Sequence, residues 1–236
     1  MKMMHKKKVL KMSAIYLPSC KFTAHSPEAS KRIKNYLSEN YDIQIGGCCR
    51  PFHKQLTSDD TVIYICNTCS AFCLEDSAAE KIISVWELLA EDTHFSFPDY
   101  SHRKMALQDC WRSYDNAAQQ KAVRRILQRM NINIEELDEN YNKTRFCGVS
   151  LYEPLPKQNG EFAPNRFIEN AEGLFIPHTE DEQAALMKKH CDKINSHEVV
   201  CYCTACIKGI NLGEKNGVHL LDLMFGLDLK QLRSFS

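Results

Sequence analysis

The sequence TVIYICNTC, residues 61–69, joins a five-residue run rich in β-branched side chains to two cysteines in CxxC spacing. Such a run predicts a buried strand that ends on Cys66. The sequence EVVCYCTAC, residues 198–206, repeats the arrangement before Cys203 and Cys206. The chain therefore contains two predicted strands that each lead into a pair of closely spaced thiols.

Nine of the twelve cysteines fall into two copies of one order, which is an isolated cysteine, a middle cysteine and a CxxC pair. The first set is Cys20, Cys48, Cys49, Cys66 and Cys69, and the second is Cys110, Cys147, Cys203 and Cys206. Cys73, Cys191 and Cys201 lie outside this order. A repeated order of this kind indicates an internal duplication.

Predicted strands and helices alternate around the cysteines, which favours parallel sheets. In the first copy we predict strands at 9–17, 41–45 and 61–65, a helix at 26–40 that starts with Ser26 and Pro27, and a helix at 80–90. In the second we predict strands at 105–108, 144–146 and 198–201, and a helix at 116–130 capped by Asp115. The closing segment GVHLLDLMFG resembles SVWELLAED of the first copy in spacing and polarity.

The predicted fold is therefore α/β, with two tandem pseudo-symmetric repeats whose short parallel sheets are flanked by helices. The cysteines are expected at the carboxyl ends of the strands, the edge at which such sheets bind ligands. We assign residues 1–100 to the first repeat and residues 101–236 to the second. Residues 92–101 are read as a linker, and residues 154–165 as an insertion loop.

Composition limits the classes of function. A formal net charge of zero gives no general attraction for nucleic acid. The apolar stretch 9–17 is too short for a membrane span and lacks the features of a signal peptide. We therefore expect a cytoplasmic protein, in which so many thiols serve metal binding or redox chemistry and not disulfides.

The number of thiols bears on the kind of metal group. Five cysteines exceed the four ligands of a tetrahedral zinc ion, so the first set favours an iron-sulfur cluster, with zinc and one spare thiol as the alternative. The four cysteines of the second set fit zinc or a cubane 4Fe-4S cluster equally well.

These motifs resemble the cysteine-rich CCG domain. That domain occurs in the cysteine-rich subunit of heterodisulfide reductase and in the iron-sulfur subunits of glycolate and lactate oxidation systems. The resemblance covers nearly the whole chain and implies that Cys20, Cys48, Cys49, Cys66 and Cys69 hold a 4Fe-4S cluster, which is noncubane in the reductase. It further implies partner subunits, a flavoprotein or a ferredoxin-like protein, that supply electrons for reducing a disulfide or relaying electrons. The chain departs from the pattern at Arg50, where the family has glycine, and at Phe146, where the first cysteine of the second pair belongs.

Two further residues have alternative interpretations. The first is His219, which could assist a cluster or simply satisfy the start of a helix. The second is Arg112, which could neutralise an anionic cluster or form a surface salt bridge.

Three functions remain open at this point: an iron-sulfur oxidoreductase subunit, a non-catalytic zinc or iron-sulfur scaffold or redox sensor, and metal-free dithiol exchange through Cys66 and Cys69. Neither a glycine-rich nucleotide loop nor a GxSxG motif is present in the sequence, which disfavours a self-contained nucleotide-dependent enzyme or hydrolase.

Overall fold

The computed structural model describes residues 13–227. The basic N-terminal segment and the first residues of the predicted strand 9–17 lie outside the described residues. The chain divides into two compact units, and the division falls between Val85 and Trp86.

The first unit contains one four-stranded parallel sheet. Its strands are β1 (Ser13–Leu17), β2 (Ile43–Ile45), β3 (Asp60–Tyr64) and β4 (Lys81–Ser84), in the order β2-β1-β3-β4. The helices are α1 (Cys20–His25), α2 (Pro27–Asn40), α3 (Cys49–Phe52) and α4 (Asn67–Asp76), and α5 (Val85–Ala90) starts at the division. The central strands β1 and β3 are almost wholly buried, as expected for strands covered by helices on both faces.

The second unit contains a sheet of the same kind. Its strands are β5 (Lys104–Gln108), β6 (Asn133–Glu136), β7 (Glu198–Cys201) and β8 (Asn216–His219), in the order β6-β5-β7-β8. The helices are α6 (Ala117–Arg129), α7 (Lys157–Phe162), α8 (Glu180–Cys191), α9 (Thr204–Leu212) and α10 (Leu220–Met224). Short 3-10 and π turns occupy residues 111–113, 141–143, 148–151 and 165–169.

The expected α/β architecture with two tandem repeats is confirmed by the matching strand orders. In each sheet the chain moves from the first strand to one side and then crosses to the other side. The strand order therefore reverses between β1 and β3 in the first sheet and between β5 and β7 in the second. Open parallel sheets bind ligands in the crevice beyond the carboxyl ends of such a strand pair.

The helix predicted over residues 80–90 is wrong in its first part. Residues Lys81–Ser84 form β4, which pairs in parallel with β3, and only Val85–Ala90 is helical. Ile82 and Ile83 are β-branched and fit a strand, so the helical spacing of the apolar residues misled the prediction. The equivalence of this segment with the chain end is confirmed, since β8 and α10 follow each other in the same way.

The strand predicted at residues 144–146 is also wrong. The strand that pairs with β5 is β6, a largely polar edge strand that hydrophobic patterning does not reveal. Residues 144–146 instead have irregular backbone, held where Thr144 Oγ1 donates to the Asp109 carbonyl at 3.0 Å and the Trp111 N–H donates to the Phe146 carbonyl at 2.8 Å.

The starts of α2 and α6 were predicted to within one residue. Pro27 is the first residue of α2 and Ser26 takes the N-cap position. The cap of α6 is Asn116, whose side chain accepts from the Gln119 N–H, while Asp115 pairs with Arg166. The insertion at 154–165 is not a plain loop, because it contains α7, and the later helix α8 was not predicted at all.

Residues 92–101 have no regular secondary structure but pack within the second unit. Phe95 is buried and contacts the Phe225 ring, with centroids 5.5 Å apart, and the Tyr100 hydroxyl donates to the Leu223 carbonyl at 2.9 Å. Ala122, Ile126 and Leu127 of α6 and its C-cap residue Met130 are all buried in the core. Within residues 13–227, every helix is too short or too polar to pass through a lipid bilayer.

Candidate metal centre

The second repeat brings its four cysteines together. Cys110 follows β5, Cys147 precedes the turn at 148–151, and Cys203 and Cys206 lie at the start of α9. The four sulfur atoms all lie within 4.8 Å of one another, with 3.5 Å from Cys110 to Cys147 and 3.8 Å from Cys147 to Cys203. Three of the four residues are buried and Cys203 is half-buried. This cysteine cluster could hold a metal ion.

The spacing fits a single tetrahedral ion. With metal-sulfur bonds of about 2.3 Å, neighbouring sulfur atoms in such a site lie about 3.8 Å apart. In a 4Fe-4S cluster each cysteine binds a different iron, which places the sulfur atoms farther apart than four ligands of one ion. In the described part of the chain, these cysteines are the one group of three or more His, Cys, Asp or Glu side chains whose ligand atoms all lie this close to one another.

Two glycines allow the loop of Cys147 to approach α9. Gly148 has φ of 59°, and a Cβ atom there would lie 2.1 Å from the carbonyl oxygen of Ala205. A Cβ atom on Gly209 would lie 2.4 Å from the Gly148 Cα. Any larger residue at either position would push Cys147 away from the CxxC pair. This close approach explains why glycine follows Cys147.

A hydrogen-bond chain fixes the position of Cys110. The Cys110 N–H donates to the Tyr202 hydroxyl at 3.2 Å, and that hydroxyl donates to Asp109 Oδ1 at 2.9 Å. Asp109 is fully buried and pairs with Arg124, whose Nη2 lies 2.8 Å from Oδ2. Arg124 also pairs with Glu136 on β6. The loop that carries Cys110 is thus linked through buried charges to α6 and to the edge strand β6.

Arg112 supplies positive charge directly to the thiols. Its Nη1 donates to Cys147 Sγ at 2.6 Å and its Nη2 to Ser150 Oγ at 3.3 Å, and the residue is only 9% exposed. Four thiolates around a divalent ion carry net negative charge, which a buried guanidinium partly offsets. The predicted alternative of a surface salt bridge is therefore wrong.

The thiols of this cluster differ in acidity. Hydrogen bonds from Cys110, Cys147 and Cys206 hold the pKa of Cys203 well below its usual range. Burial raises the pKa of both Cys110 and Cys206. A metal ion must therefore displace protons from Cys110 and Cys206 when it binds.

Aromatic residues of the segment that follows α7 cover the turn at 111–113, next to this cluster. Trp111 is 2% exposed, and its ring meets Phe167 and Phe175 edge-on at centroid distances of 6.2 and 5.8 Å. Arg166 anchors the same region by pairing with Asp115. This segment therefore adds an apolar wall beside the four cysteines.

The first repeat gathers part of its cysteine set. Cys69 Sγ donates to Cys49 Sγ at 3.0 Å, and Cys66 forms the N-cap of α4. Cys20 and Cys48 are exposed. The hydrogen bond from Cys69 lowers the pKa of Cys49, and the same bond raises the pKa of Cys69. The first set is therefore more open than the second and holds a thiol pair of unequal acidity.

Two residues beside the first set were not predicted. His53 is fully buried, with Nδ1 2.8 Å from the Cys49 carbonyl oxygen and Nε2 2.8 Å from Asp76 Oδ2. Its hydrogen bond lowers the pKa of Asp76, so His53 ties the Cys49 segment to the end of α4. Cys73 lies one turn after Cys69, and its pKa is raised to about 12 by burial and by the charge of Cys49. In the sequence, only the four-residue spacing between Cys69 and Cys73 indicates that Cys73 lies next to the first cysteine set, because residues so spaced share one face of a helix.

His219 has the helix-start role. Its side chain occupies the N-cap of α10 and accepts from the Leu221 N–H at 3.2 Å. Cys191 and Cys201, which lie outside the two sets, are buried.

Comparison with models of known protein families found no match, and a search of curated proteins found no related sequence.

Proposed function

We propose that this protein is a thiolate-ligated metal protein of the iron-sulfur oxidoreductase class, which serves as one subunit of an electron-transfer system. The observation that carries the proposal is the convergence of Cys110, Cys147, Cys203 and Cys206 within 4.8 Å of one another. The resemblance of the cysteine order to the CCG domain supplies the redox part of the proposal.

The two repeats have different roles in this proposal. The compact set of the second repeat suits one four-coordinate ion, zinc or iron, with no ligand position left for a substrate. The first repeat is the redox site, where Cys20, Cys48, Cys49, Cys66 and Cys69 ligate an iron-sulfur cluster. The exposure of Cys20 and Cys48 supports this assignment, since a cluster that exchanges electrons with a partner or a disulfide must be reachable.

An iron-sulfur cluster supplies one-electron steps, and the protein holds and orients it. The chain would receive electrons from a flavoprotein or a ferredoxin-like subunit. It would then reduce a disulfide or pass the electrons onward. The hydrogen bond from Cys69 lowers the pKa of Cys49, which favours the thiolate form and hence metal ligation in the first repeat.

The test is the content of iron, zinc and acid-labile sulfide in protein purified without oxygen. Three variants assign the metals: Cys49→Ser for the first set, Cys206→Ser for the second, and Cys201→Ala as a buried cysteine outside both. We expect C206S to lose one ion per chain, C49S to lose iron together with sulfide, and C201A to keep both. Metal content that neither C49S nor C206S changes would rule out the proposal.

A second candidate is a non-catalytic zinc scaffold. The closed, mostly buried four-thiol geometry of the second repeat favours it, because structural zinc sites have four protein ligands and no open position. The same measurement separates the two candidates. Zinc without labile sulfide in the wild-type protein supports the scaffold, whereas iron with matching sulfide that C49S removes supports the redox subunit.

A further inference from the structure

Tyr16 is a buried tyrosine beside the first cysteine set. It is the fourth residue of β1, the strand next to β3, and its register partners are Ile45 and Ile63. Its relative exposure is 0%, and its hydroxyl has no hydrogen-bond partner among the described residues. Leaving a buried hydroxyl unpaired costs free energy, so such a group needs an explanation.

Other buried tyrosines show how the fold normally treats this group. The Tyr202 hydroxyl contacts Asp109, Ser113 and the Cys110 N–H, and the Tyr100 hydroxyl donates to a backbone carbonyl. The position equivalent to Tyr16 in the second repeat is Leu107, the fourth residue of β5, which is also fully buried. An apolar side chain thus packs at the equivalent position of the second repeat. Core packing therefore does not require a hydroxyl at Tyr16.

The surroundings of Tyr16 point to the cysteine set. β1 and β3 are the pair between which the strand order reverses, and β3 leads directly to Cys66 and Cys69. Besides burial, the charge of Cys69 raises the pKa of Tyr16, so the phenol lies within electrostatic reach of that sulfur. A protonated phenol beside thiolates can act as a hydrogen-bond donor.

We propose that Tyr16 belongs to the ligand site of the first repeat, where its hydroxyl donates a hydrogen bond to an anionic sulfur atom of the bound group. That atom is either inorganic sulfide or the thiolate of a bound thiol compound, since both are sulfur acceptors. The inference rests on the proposed binding of such a group by Cys49, Cys66 and Cys69. In the metal-loaded protein the hydroxyl then has its partner.

The test is a double-mutant cycle on the full-length chain, purified without oxygen and containing its own metal. The variants are Tyr16→Phe, Cys69→Ala and the two combined, with thermal midpoint and metal content as readouts. We expect Y16F to lower the midpoint by about 2–4 °C in the intact protein, the shift for one lost hydrogen bond in a chain of this size. In the C69A background, where the group is absent, Y16F should leave the midpoint unchanged or raise it.

The matched control is Tyr100→Phe, which removes a hydroxyl that already has a backbone partner. It should lower the midpoint equally in both backgrounds. An equal effect of Y16F in both backgrounds would show a packing role or a trapped water, and would overturn the proposal. Should C69A not fold, comparison of Y16F with wild type before and after chelator treatment gives the same information.

Two further readings separate the outcomes. Labile sulfide in the wild type identifies sulfide as the acceptor, whereas an effect of Y16F that requires added 2-mercaptoethanol identifies a bound thiolate. If C69A keeps the full metal content of the wild type, the proposed function of the first repeat fails. If C69A loses metal but shows no coupling with Y16F, only the role of Tyr16 fails.

Discussion

Replacing Asp109 with asparagine should weaken both the second unit and its metal site. The carboxylate is fully buried and accepts four hydrogen bonds, two from Arg124 at 2.8 and 3.3 Å, one from the Tyr202 hydroxyl at 2.9 Å and one from the Tyr141 N–H at 2.8 Å. All four of these groups are donors. An asparagine amide offers one acceptor oxygen and turns its NH₂ group towards donors, so part of the network is lost.

The size of the effect follows from the buried charges. Removing one partner of a buried ion pair costs about 3–5 kcal/mol, because the other charge stays buried without compensation. Arg124 keeps Glu136, with distances of 2.6 and 2.7 Å, as a second partner. We therefore expect D109N to lower the free energy of unfolding by about 3 kcal/mol, at the low end of that range.

The metal site should respond as well, because Asp109 holds the Tyr202 hydroxyl that accepts from the Cys110 N–H. Urea unfolding followed by circular dichroism measures the stability, and transfer of metal to a colorimetric chelator measures its release. Arg125→Ala is the control, since Arg125 forms an exposed pair with Glu91 that is worth less than about 1 kcal/mol. A loss in D109N no larger than in R125A, or an unchanged rate of metal release, would refute the reasoning.

Three other predictions concern charge. Replacing Arg112 with methionine removes the buried cation beside the second-repeat thiols. Competition with a chelator should show that the variant binds metal at least about tenfold more weakly, as expected for the loss of a hydrogen bond to a charged group. Equal affinity of the variant and the wild type would contradict the assigned role. Metal binding to the second set should release at least about two protons at neutral pH, because burial raises the pKa of Cys110 and Cys206. The affinity for metal should therefore rise with pH. Calorimetry in buffers of different ionisation enthalpy counts the protons released. For Glu135, burial raises the pKa, but hydrogen bonds from residues 195–196 outweigh it and lower the pKa to about 2. Since this lies below the unfolded value, Glu135 contributes about 1–3 kcal/mol of stability above pH 4.5, after allowance for solvent screening, and this stability is lost as the pH falls towards 2. The E135Q variant should lack this acid dependence in unfolding experiments, and an unaltered profile would exclude Glu135 as its source.

The strongest sequence signals predicted the fold well. Strands 61–65 and 198–201 were placed within one residue, because both are central, buried on both faces and β-branched. The edge strand β6 was missed because a short edge strand needs few apolar residues, and β4 was missed because its apolar residues also fit a helical spacing. β6 in particular has the sequence Asn-Ile-Glu-Glu, whose acids are used for pairing with Arg124 and for capping residues 195–196.

The parts of the candidate site that the sequence did not reveal are polar and lie far apart along the chain. Cysteine spacing indicated which thiols could meet, since a CxxC pair is local and strand ends share one edge. The buried pair of Asp109 and Arg124 joins residues fifteen positions apart, and the Tyr202 hydroxyl joins residues 93 positions apart. Such contacts depend on the packed structure, and a single charged or hydroxyl residue in a sequence gives no sign of them.

The two cysteine sets differ in the residue before the middle cysteine. In the first repeat this residue is Cys48, which follows β2 closely and stays exposed. In the second it is Phe146, which is buried, stacks on the His190 ring at 4.1 Å and accepts from the Trp111 N–H through its carbonyl. A buried aromatic side chain fixes the approach to Cys147, so that one thiol meets Cys110 and the CxxC pair. The same sheet topology therefore carries an open set with exposed thiols and a closed set of four.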